Sequence, residues 1–215
     1  QAKEAGFDEV IFIVGEKTKN SLEHPYALSK YMGEKAVFHW NKVYGLPVNS
    51  IRIFNAYGPR VRTTGAYGAV IGVFFKQKIS KKPLTIVGSG NQSRDFIHVT
   101  DVVKAFYKAS KIKKSGEFFN IGTGNPQTVN HLANLVGGKK INIPDRPGEP
   151  MRSCANISKA RKILKWKPEI KFETGIREML QDINKWKDAP LWTPKKIKNA
   201  TKTWFSFLKK NENSR

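Results

Sequence analysis

Cysteine is almost absent from this chain of 215 residues, because Cys154 is the only one and a single thiol cannot form an internal disulfide. No run of about 18 apolar residues occurs, so the sequence predicts no transmembrane helix. The first residues show no secretory signal pattern. These absences predict a cytoplasmic protein with no membrane partner and no disulfide cross-links.

Acidic residues are also scarce: 17 aspartates and glutamates stand against 39 lysines and arginines, which gives a net charge of +22. Such a charge can attract nucleic acid. The basic residues are mostly lysine, however, and they are dispersed, with the densest runs at 76–82, 111–114 and 195–210. No helix-turn-helix, zinc-ligand or RNP-type pattern occurs. We therefore predict no nucleic-acid partner and no metal site, and we expect the charge to attract anionic ligands.

Apolar residues, in contrast, are present in the amount and order that an α/β core needs. They make up 39% of the chain and include 13 phenylalanines, which argues against disorder. A helix is predicted from Pro25 to Tyr44, because proline favours the first helical position and Gly45 can end a helix. An apolar stripe follows this helix at i+3 and i+4 spacing: Leu28, Met32, Ala36, Trp40 and Val43. The β-branched run at 48–54 predicts a buried strand, which completes half of a parallel α/β unit.

Tyr26 and Lys30 lie four residues apart at the start of this helix, and therefore on one face of it. A phenol has an ordinary pKa of about 10, and a neighbouring ammonium lowers that pKa because it favours the phenolate. Such a phenol can act as a general acid and base near neutral pH. The same spacing recurs in two other pairs, Tyr31 with Lys35 and Tyr107 with Lys111. The spacing alone therefore leaves the choice of pair open.

The residues around the first pair resemble those of a known family. HPYALSKYMGEK at 24–35, followed by NSIRIFNAYGPR at 49–60, is similar to the extended short-chain dehydrogenase/reductases, the NAD-dependent sugar-nucleotide epimerases and dehydratases. In that family a P-Y-x-x-S-K helix start precedes an R-x-F-N-x-Y-G-P strand end. The resemblance implies NAD as cofactor, Tyr26 as catalytic acid and base, and Lys30 as the residue that holds the nicotinamide ribose and tunes Tyr26. It further implies cofactor contacts from Tyr26, Lys30 and Phe54, and a substrate contact from Asn55.

Two later segments extend the resemblance. GSGNQSRDFIHVTD at 88–101 is similar to the family's G-x-G-x-Q-x-R-D-F-x-x-V-x-D, and residues 141–156 contain its R-P-G-(D/E) loop. By this resemblance Arg94 and Arg146 bind the diphosphate or ribose of a nucleotide sugar, for which a guanidinium fork is suited. Glu149 would hold a ribose hydroxyl or orient Arg146. The backbone of the strand with Leu84 and Ile86 would contact the nucleotide base. The alternatives are an ion pair for Arg94 and a plain proline-rich turn around Arg146.

The remaining polar residues of the 88–101 match are expected to be structural. Asp95 and Asp101 are predicted to support the fold, and His98 to be a packed or surface histidine rather than a ligand. Thr100 is predicted to cap a helix with Asp101 in its first turn.

Two features of the family are missing from the sequence. The glycine pairs at 88–90 and 122–124 lack the third glycine, the following helix and the acidic residue of a dinucleotide fingerprint, so we predict turns there. After the predicted strand at 10–14, the family carries a Ser/Thr-rich segment that supplies a third catalytic hydroxyl. Thr18 and Ser21 are the nearest hydroxyls here, and we assign neither. The chain is therefore expected to be a fragment or a degraded enzyme.

The predicted fold is α/β: the C-terminal part of a Rossmann-type doubly wound sheet plus a small α/β substrate-binding domain. Residues 1–62 would be the remnant of the NAD-binding Rossmann domain with the YxxxK helix. Residues 63–187 would mainly bind the nucleotide sugar, with some segments returning to the Rossmann sheet. Residues 188–215 would form a C-terminal helical extension that starts at Thr193-Pro194.

The resemblance implies NAD-dependent epimerisation of a nucleotide-diphosphate sugar, as in UDP-glucose 4-epimerase, with a UDP-sugar as substrate. Dehydratases place an Asp-Glu pair after the third hydroxyl, and the absence of that pair favours epimerisation. A 4,6-dehydratase, a decarboxylase or a reductase of the same family remains open, and a non-catalytic nucleotide-sugar-binding remnant is the alternative from another class. Family members often pair the Tyr/Lys helix across a homodimer, so Met32, Ala36 and Trp40 are expected to face a partner subunit.

Overall fold

The computed structural model describes residues 10–14, 25–59, 61, 70–145 and 151–202, and for residues 10–14 and 25–27 it describes the backbone. The chain divides into two compact units, each made of three stretches. Unit 1 comprises Gln1–Tyr57, Asp95–Asn125 and Cys154–Ile170, and unit 2 comprises Gly58–Arg94, Pro126–Ser153 and Lys171–Arg215. The functions assigned above to 1–62, 63–187 and 188–215 stay predictions.

The elements alternate along the chain between strands and helices. The first half contains β1 (Val10–Val14), α1 (Pro25–Tyr44), β2 (Val48–Ile53), β3 (Asn55–Tyr57), α2 (Val70–Ile79), β4 (Leu84–Val87), β5 (Ser93–Arg94), β6 (Phe96–His98) and α3 (Val99–Ala109). The second half contains β7 (Glu117–Ile121), β8 (Gln127–Thr128), α4 (Val129–Val136), β9 (Lys140–Ile143), α5 (Ser158–Ile163), α6 (Phe172–Gln181) and a 3₁₀ turn at Ile183–Trp186. Residues 194–202 are also helical.

A parallel sheet in the order β1-β2-β7 organises unit 1, and it confirms the predicted α/β class. Ile51 of the central strand is fully buried and pairs in register with Ile13 and Phe119. Because α1 connects two parallel strands, its first turns lie at the carboxyl edge of the sheet. Gly45 follows α1 with φ +62°, a left-handed conformation that glycine adopts without strain.

The core of unit 1 lies between this sheet and the helices α3 and α5. Its largest member, Trp166, is 2% exposed and packs with Ile51, Ile97 and Phe119 in one cluster. A second parallel pair, β3 with β6, places Tyr57 opposite His98. The described part of unit 1 therefore contains a three-stranded parallel sheet and a separate pair of parallel strands.

His98, and not Thr100, caps α3, so the predicted cap is wrong. The helix begins at Val99, and the Nδ1 atom of His98 accepts a hydrogen bond of 3.3 Å from the backbone N–H of Thr100. His98 is 5% exposed and its ring meets that of Tyr57 edge-on, at 5.3 Å between centroids. It is thus a packed histidine, as expected, with a capping role that the usual cap preferences do not indicate.

Unit 2 is built around the parallel pair β4–β9 and the antiparallel pair β5–β8, covered by α2, α4 and α6. Gln77 of α2 is buried and bonds the side chain of Thr85 in β4 (2.8 Å) and the carbonyl of Trp192 (2.8 Å). The buried Trp186 packs edge-on against Phe75 of α2, at 5.0 Å. Thr193 accepts from the N–H of Lys196 at 3.3 Å, which confirms the predicted helix start there.

Candidate active site

The start of α1 is the part of unit 1 where the sequence predicts acid–base chemistry. Tyr26 and Lys30 both lie in the first two turns of α1, which the structure begins at Pro25 as predicted. The sheet topology places the start of α1 at the carboxyl edge of the sheet. Lys30 is half-buried, whereas the side chain of Tyr26 lies outside the described part of the chain. The contact between phenol and ammonium therefore stays a prediction.

The two competing tyrosine–lysine pairs have a different geometry. The ammonium of Lys35 lies over the ring of Tyr31, 5.3 Å from its centroid, and that of Lys111 lies over the ring of Tyr107 at 5.6 Å. These are cation–π contacts of exposed lysines. The choice of Tyr26 over these two pairs stays a prediction.

Glu34 anchors α1 to the sheet, one helical turn beyond Lys30. Its side chain is 4% exposed, and its two carboxylate oxygens accept from the guanidinium of Arg52 in β2 at 2.8 and 2.6 Å. Ser50 donates a third bond at 2.9 Å. The guanidinium carbon of Arg52 also lies over the ring of Phe118, 3.7 Å from its centroid. We did not predict this network from the sequence, although the i+8 spacing of Glu34 from Tyr26 places both on one helix face.

Phe54 and Asn55 follow directly after β2 at the carboxyl edge of the sheet. The N–H of Phe54 bonds the carbonyl of Ile121 in β7 (3.0 Å), and the N–H of Asn55 bonds the carbonyl of Asp95 (3.0 Å). Both side chains are half-buried. Their backbones are thus fixed by two neighbouring strands, which holds the side chains in defined positions.

Asp95 organises the loops that follow β7, and its expected structural role is confirmed. Its carboxylate is fully buried and accepts from the N–H groups of Thr123, Gly124 and Ala155, at 2.6, 2.9 and 2.9 Å. The hydroxyl of Thr123 donates a further bond at 2.5 Å. Gly122 permits this approach, because a Cβ there would lie 2.8 Å from the carboxylate. Asp95 therefore ties three stretches of unit 1 together at the sheet edge.

In unit 2, the residues predicted to bind the nucleotide lie on β4 and β5. The side chains of Leu84 and Ile86 are each 1% exposed, so only their backbones could meet a ligand, as the sequence predicted. Arg94 is half-buried at the end of β5, and its Nη1 atom donates to the carbonyl of Ser93 at 2.9 Å. The predicted ligand contacts of these residues stay predictions. Arg146 and Glu149 lie outside the described residues, as do Thr18 and Ser21.

Of the residues predicted to hold NAD, the structure describes the side chains of Lys30 and Phe54, both half-buried. The ammonium of Lys30 would suit a ribose hydroxyl, and this contact stays a prediction. The two glycine pairs do not fit the pyrophosphate: Gly88 and Gly90 form a turn, as predicted, and a Cβ at Gly88 would collide with the carboxylate of Asp145. Gly122 lies against the carboxylate of Asp95. Turns beside carboxylates would repel a pyrophosphate.

In the part of the chain that the structure describes, no helix has the length and apolar character needed to cross a membrane. No group of three or more histidine, cysteine, aspartate or glutamate side chains there could hold a metal ion.

Comparison with known proteins identifies the family. The profile of GDP-mannose 4,6 dehydratase matches residues 8–179. The chain belongs to this family of NAD-dependent sugar-nucleotide epimerases and dehydratases, and the predicted resemblance is confirmed.

The relatives include both reaction types. A UDP-glucose 4-epimerase of Mycolicibacterium smegmatis matches at 31% identity over 164 residues, which are 73% of this chain and 52% of that protein. A UDP-glucuronate 4-epimerase of Thermodesulfobacterium geofontis matches at 33%, over 71% of this chain and 48% of that protein. A dTDP-glucose 4,6-dehydratase of Escherichia coli matches at 29%, over 83% and 52%. The chain thus spans about half the length of the curated relatives it matches.

Solved structures agree with the fold. The UDP-glucose 4-epimerase of Thermotoga maritima, solved with UDP-glucose, superposes with a TM-score of 0.73 at 30% identity, covering 86% of this chain and 66% of that one. The UDP-glucuronic acid 4-epimerase of Bacillus cereus, solved with UDP-glucuronic acid and NAD, gives 0.71 at 29% identity, covering 83% and 62%.

Proposed function

We propose that this chain is the acid–base and nucleotide-sugar-binding part of an NAD-dependent epimerase that acts on a UDP-sugar, in the manner of UDP-glucose 4-epimerase. The observation that carries the proposal is the face of α1 at the sheet edge. There Tyr26 and Lys30 precede Glu34, whose ion pair with Arg52 fixes the helix on β2. Epimerases among the relatives support the reaction type.

Each proposed role follows from the chemistry of the side chain. Tyr26 removes the proton of a ring hydroxyl and later returns it, while Lys30 favours the phenolate and binds ribose hydroxyls. NAD, when bound, supplies the acceptor and donor of hydride. Phe54, which follows β2 at the carboxyl edge of the sheet, contacts the cofactor. Asn55 binds the substrate, and the backbone of β4 at Leu84 and Ile86 contacts the base.

The charged residues proposed for substrate binding suit an anionic diphosphate. Arg94 and Arg146 offer guanidinium groups, which bind phosphate oxygens through paired hydrogen bonds. Glu149 holds a ribose hydroxyl or orients Arg146. We keep the cytoplasm as the proposed location, in line with the single cysteine.

The test is conversion of UDP-glucose to UDP-galactose by the purified chain with NAD, followed by chromatography. We expect Tyr26→Phe to lower the rate by roughly 10²- to 10⁴-fold, because the general acid and base is removed. Tyr31→Phe and Tyr107→Phe are matched controls and should leave the rate unchanged. A rate that is the same in Tyr26→Phe would contradict the proposal.

The same assay distinguishes the alternatives. A 4-keto-6-deoxy product from dTDP-glucose would identify a dehydratase, the reaction of another relative. A rise in melting temperature with UDP-sugar but no turnover would support a binding protein without catalysis.

We further propose that the protein forms a homodimer through α1. The apolar stripe of this helix is exposed and not buried: Leu28 is 43%, Met32 61%, Trp40 51% and Val43 53% exposed. Several large apolar side chains on one helix face are typical of a protein interface. A two-fold axis would let the same stripe of a second copy cover them.

A further inference from the structure

A basic groove lies on unit 1 and is formed by α3, α5 and the residues after α5. It is lined by Lys104, Lys108, Arg161, Lys165, Trp166, Lys167 and Glu169, and encloses about 570 Å³. None of these residues belongs to the proposed active site. The lining contains four lysines and one arginine but a single carboxylate.

The floor and rim of the basic groove are held in place by hydrogen bonds. Trp166 is 2% exposed, and its Nε1–H donates to the carbonyl of Asp101 at 3.0 Å. The buried carboxylate of Asp101 accepts from the N–H groups of Glu169 and Ile170, each at 3.0 Å. Lys108 donates to the carbonyl of Lys165 at 2.5 Å. The groove is therefore preformed, which reduces the entropic cost of binding.

The charge in the basic groove is only partly balanced. Glu169 forms an ion pair with Lys104, which lowers the pKa of its carboxyl, and the positive charges of Lys167 and Lys108 lower it further. Lys108 and Arg161 lie in the last turns of α3 and α5, where a cation also offsets the helix dipole. Lys165 and Lys167 lie after the end of α5 and are not in its last turn, so their charges are not explained by the helix dipole.

We propose that the basic groove binds a compact polyphosphate anion. Four cations beyond the Lys104–Glu169 pair match several phosphate charges, and Arg161 offers a fork for phosphate oxygens. The volume lies within the usual range of small-molecule sites. A nucleic-acid strand is disfavoured, because the aromatic residue of the groove, Trp166, is buried and offers no face for base stacking.

The test is calorimetric titration of the chain with inorganic triphosphate. The test variant is Arg161→Gln/Lys167→Gln, which removes two exposed charges and avoids the left-handed backbone at Lys165. The matched control is Lys195→Gln/Lys198→Gln in the helical residues 194–202 of unit 2, which removes the same charge. We expect affinity to fall roughly tenfold in the test variant and less than about twofold in the control.

Three outcomes would overturn the proposal. Equal weakening in both variants would show that the net charge attracts the anion without a site. The absence of saturable binding at low salt would exclude a site directly. Tighter binding of an oligonucleotide such as dT20, lost in the same test variant, would identify a nucleic acid as the ligand. None of these results depends on turnover of UDP-sugars, so the proposed function is tested separately.

Discussion

Glu34 shows how a single buried charge can define the position of a helix. A carboxylate with 4% exposure is costly to bury unless its charge and lone pairs are satisfied, and here Arg52 and Ser50 satisfy them. The bidentate geometry also fixes the rotation of α1 about its axis. The proposed acid–base face of α1 therefore depends on a residue that does not take part in the chemistry.

We predict that Glu34→Gln lowers the free energy of unfolding by about 3 kcal/mol, because it leaves the guanidinium of Arg52 buried without a counter-charge. Urea unfolding measures this change. The double variant Glu34→Leu/Arg52→Met is the control and should recover most of the lost stability, since no charge then remains buried. An unchanged urea midpoint in Glu34→Gln would show that the ion pair contributes nothing.

His98 has a comparable role at the start of α3. We predict that His98→Ala destabilises the fold by at least about 1 kcal/mol, since the helix loses its cap acceptor and Tyr57 loses a packing partner. His98→Asn should lose less, because an amide oxygen can accept from the same N–H. Thermal unfolding of both variants measures the difference, and equal losses would argue against the capping role.

At the scale of whole elements, α1 exposes apolar side chains and buries a charged one. We predict that Met32→Glu/Trp40→Glu converts the proposed dimer to a monomer, because two charges per copy would be buried at the interface. Val103→Glu/Tyr107→Glu is the matched control, since these residues are equally exposed on α3 (60% and 66%).

Sedimentation velocity measures the oligomeric state of both variants and of the parent chain. The control should sediment as the parent does. If the parent chain and the test variant are both monomers, or if both are dimers, α1 is not the interface.

The positions of most helices and strands along the chain could be predicted from the sequence, whereas the side-chain contacts that join one element to another could not. The helix Pro25–Tyr44 and the strand Val10–Val14 follow from local periodicity and from proline and glycine, and both are confirmed. The Glu34–Arg52 pair joins residues 18 positions apart on different elements, which no local pattern encodes. Tyr26 was singled out by its surrounding motif, because the spacing alone did not separate three pairs.

For the whole molecule, the excess of positive charge lowers the pKa of individual carboxyls that contact lysines. Glu117 illustrates this effect: hydrogen bonds from Lys114 first, and then from Lys159, lower the pKa of its carboxyl from the ordinary value of 4.5. The hydrogen bond from Lys104 lowers the pKa of Glu169 in the same way, whereas a backbone hydrogen bond first, and then His131, lower the pKa of Glu173. A carboxyl whose pKa is lower in the folded state stabilises the fold above its unfolded pKa, and this contribution is lost as the pH falls through the folded value.

We therefore predict that Glu117→Gln lowers the melting temperature at pH 7, and that its difference from the parent chain shrinks below about pH 4.5, where the carboxyl is increasingly protonated in the parent chain too. Thermal unfolding between about pH 3 and about pH 7 measures the difference in melting temperature between the variant and the parent chain. Glu178→Gln, at an exposed carboxylate of α6, is the control. A difference that does not change with pH would show that the two lysines do not act through the charge of Glu117.

The interleaving of the two units has a consequence for biosynthesis. Each unit draws on three separate stretches, and unit 1 is complete only when residues 154–170 are present. The carboxylate of Asp95 needs the N–H groups of residues 123, 124 and 155 as hydrogen-bond donors. Trp166 is the last large side chain, in chain order, of the core of unit 1. A nascent chain on the ribosome therefore cannot complete unit 1 before residues 58–94 and 126–153 of unit 2 have been translated.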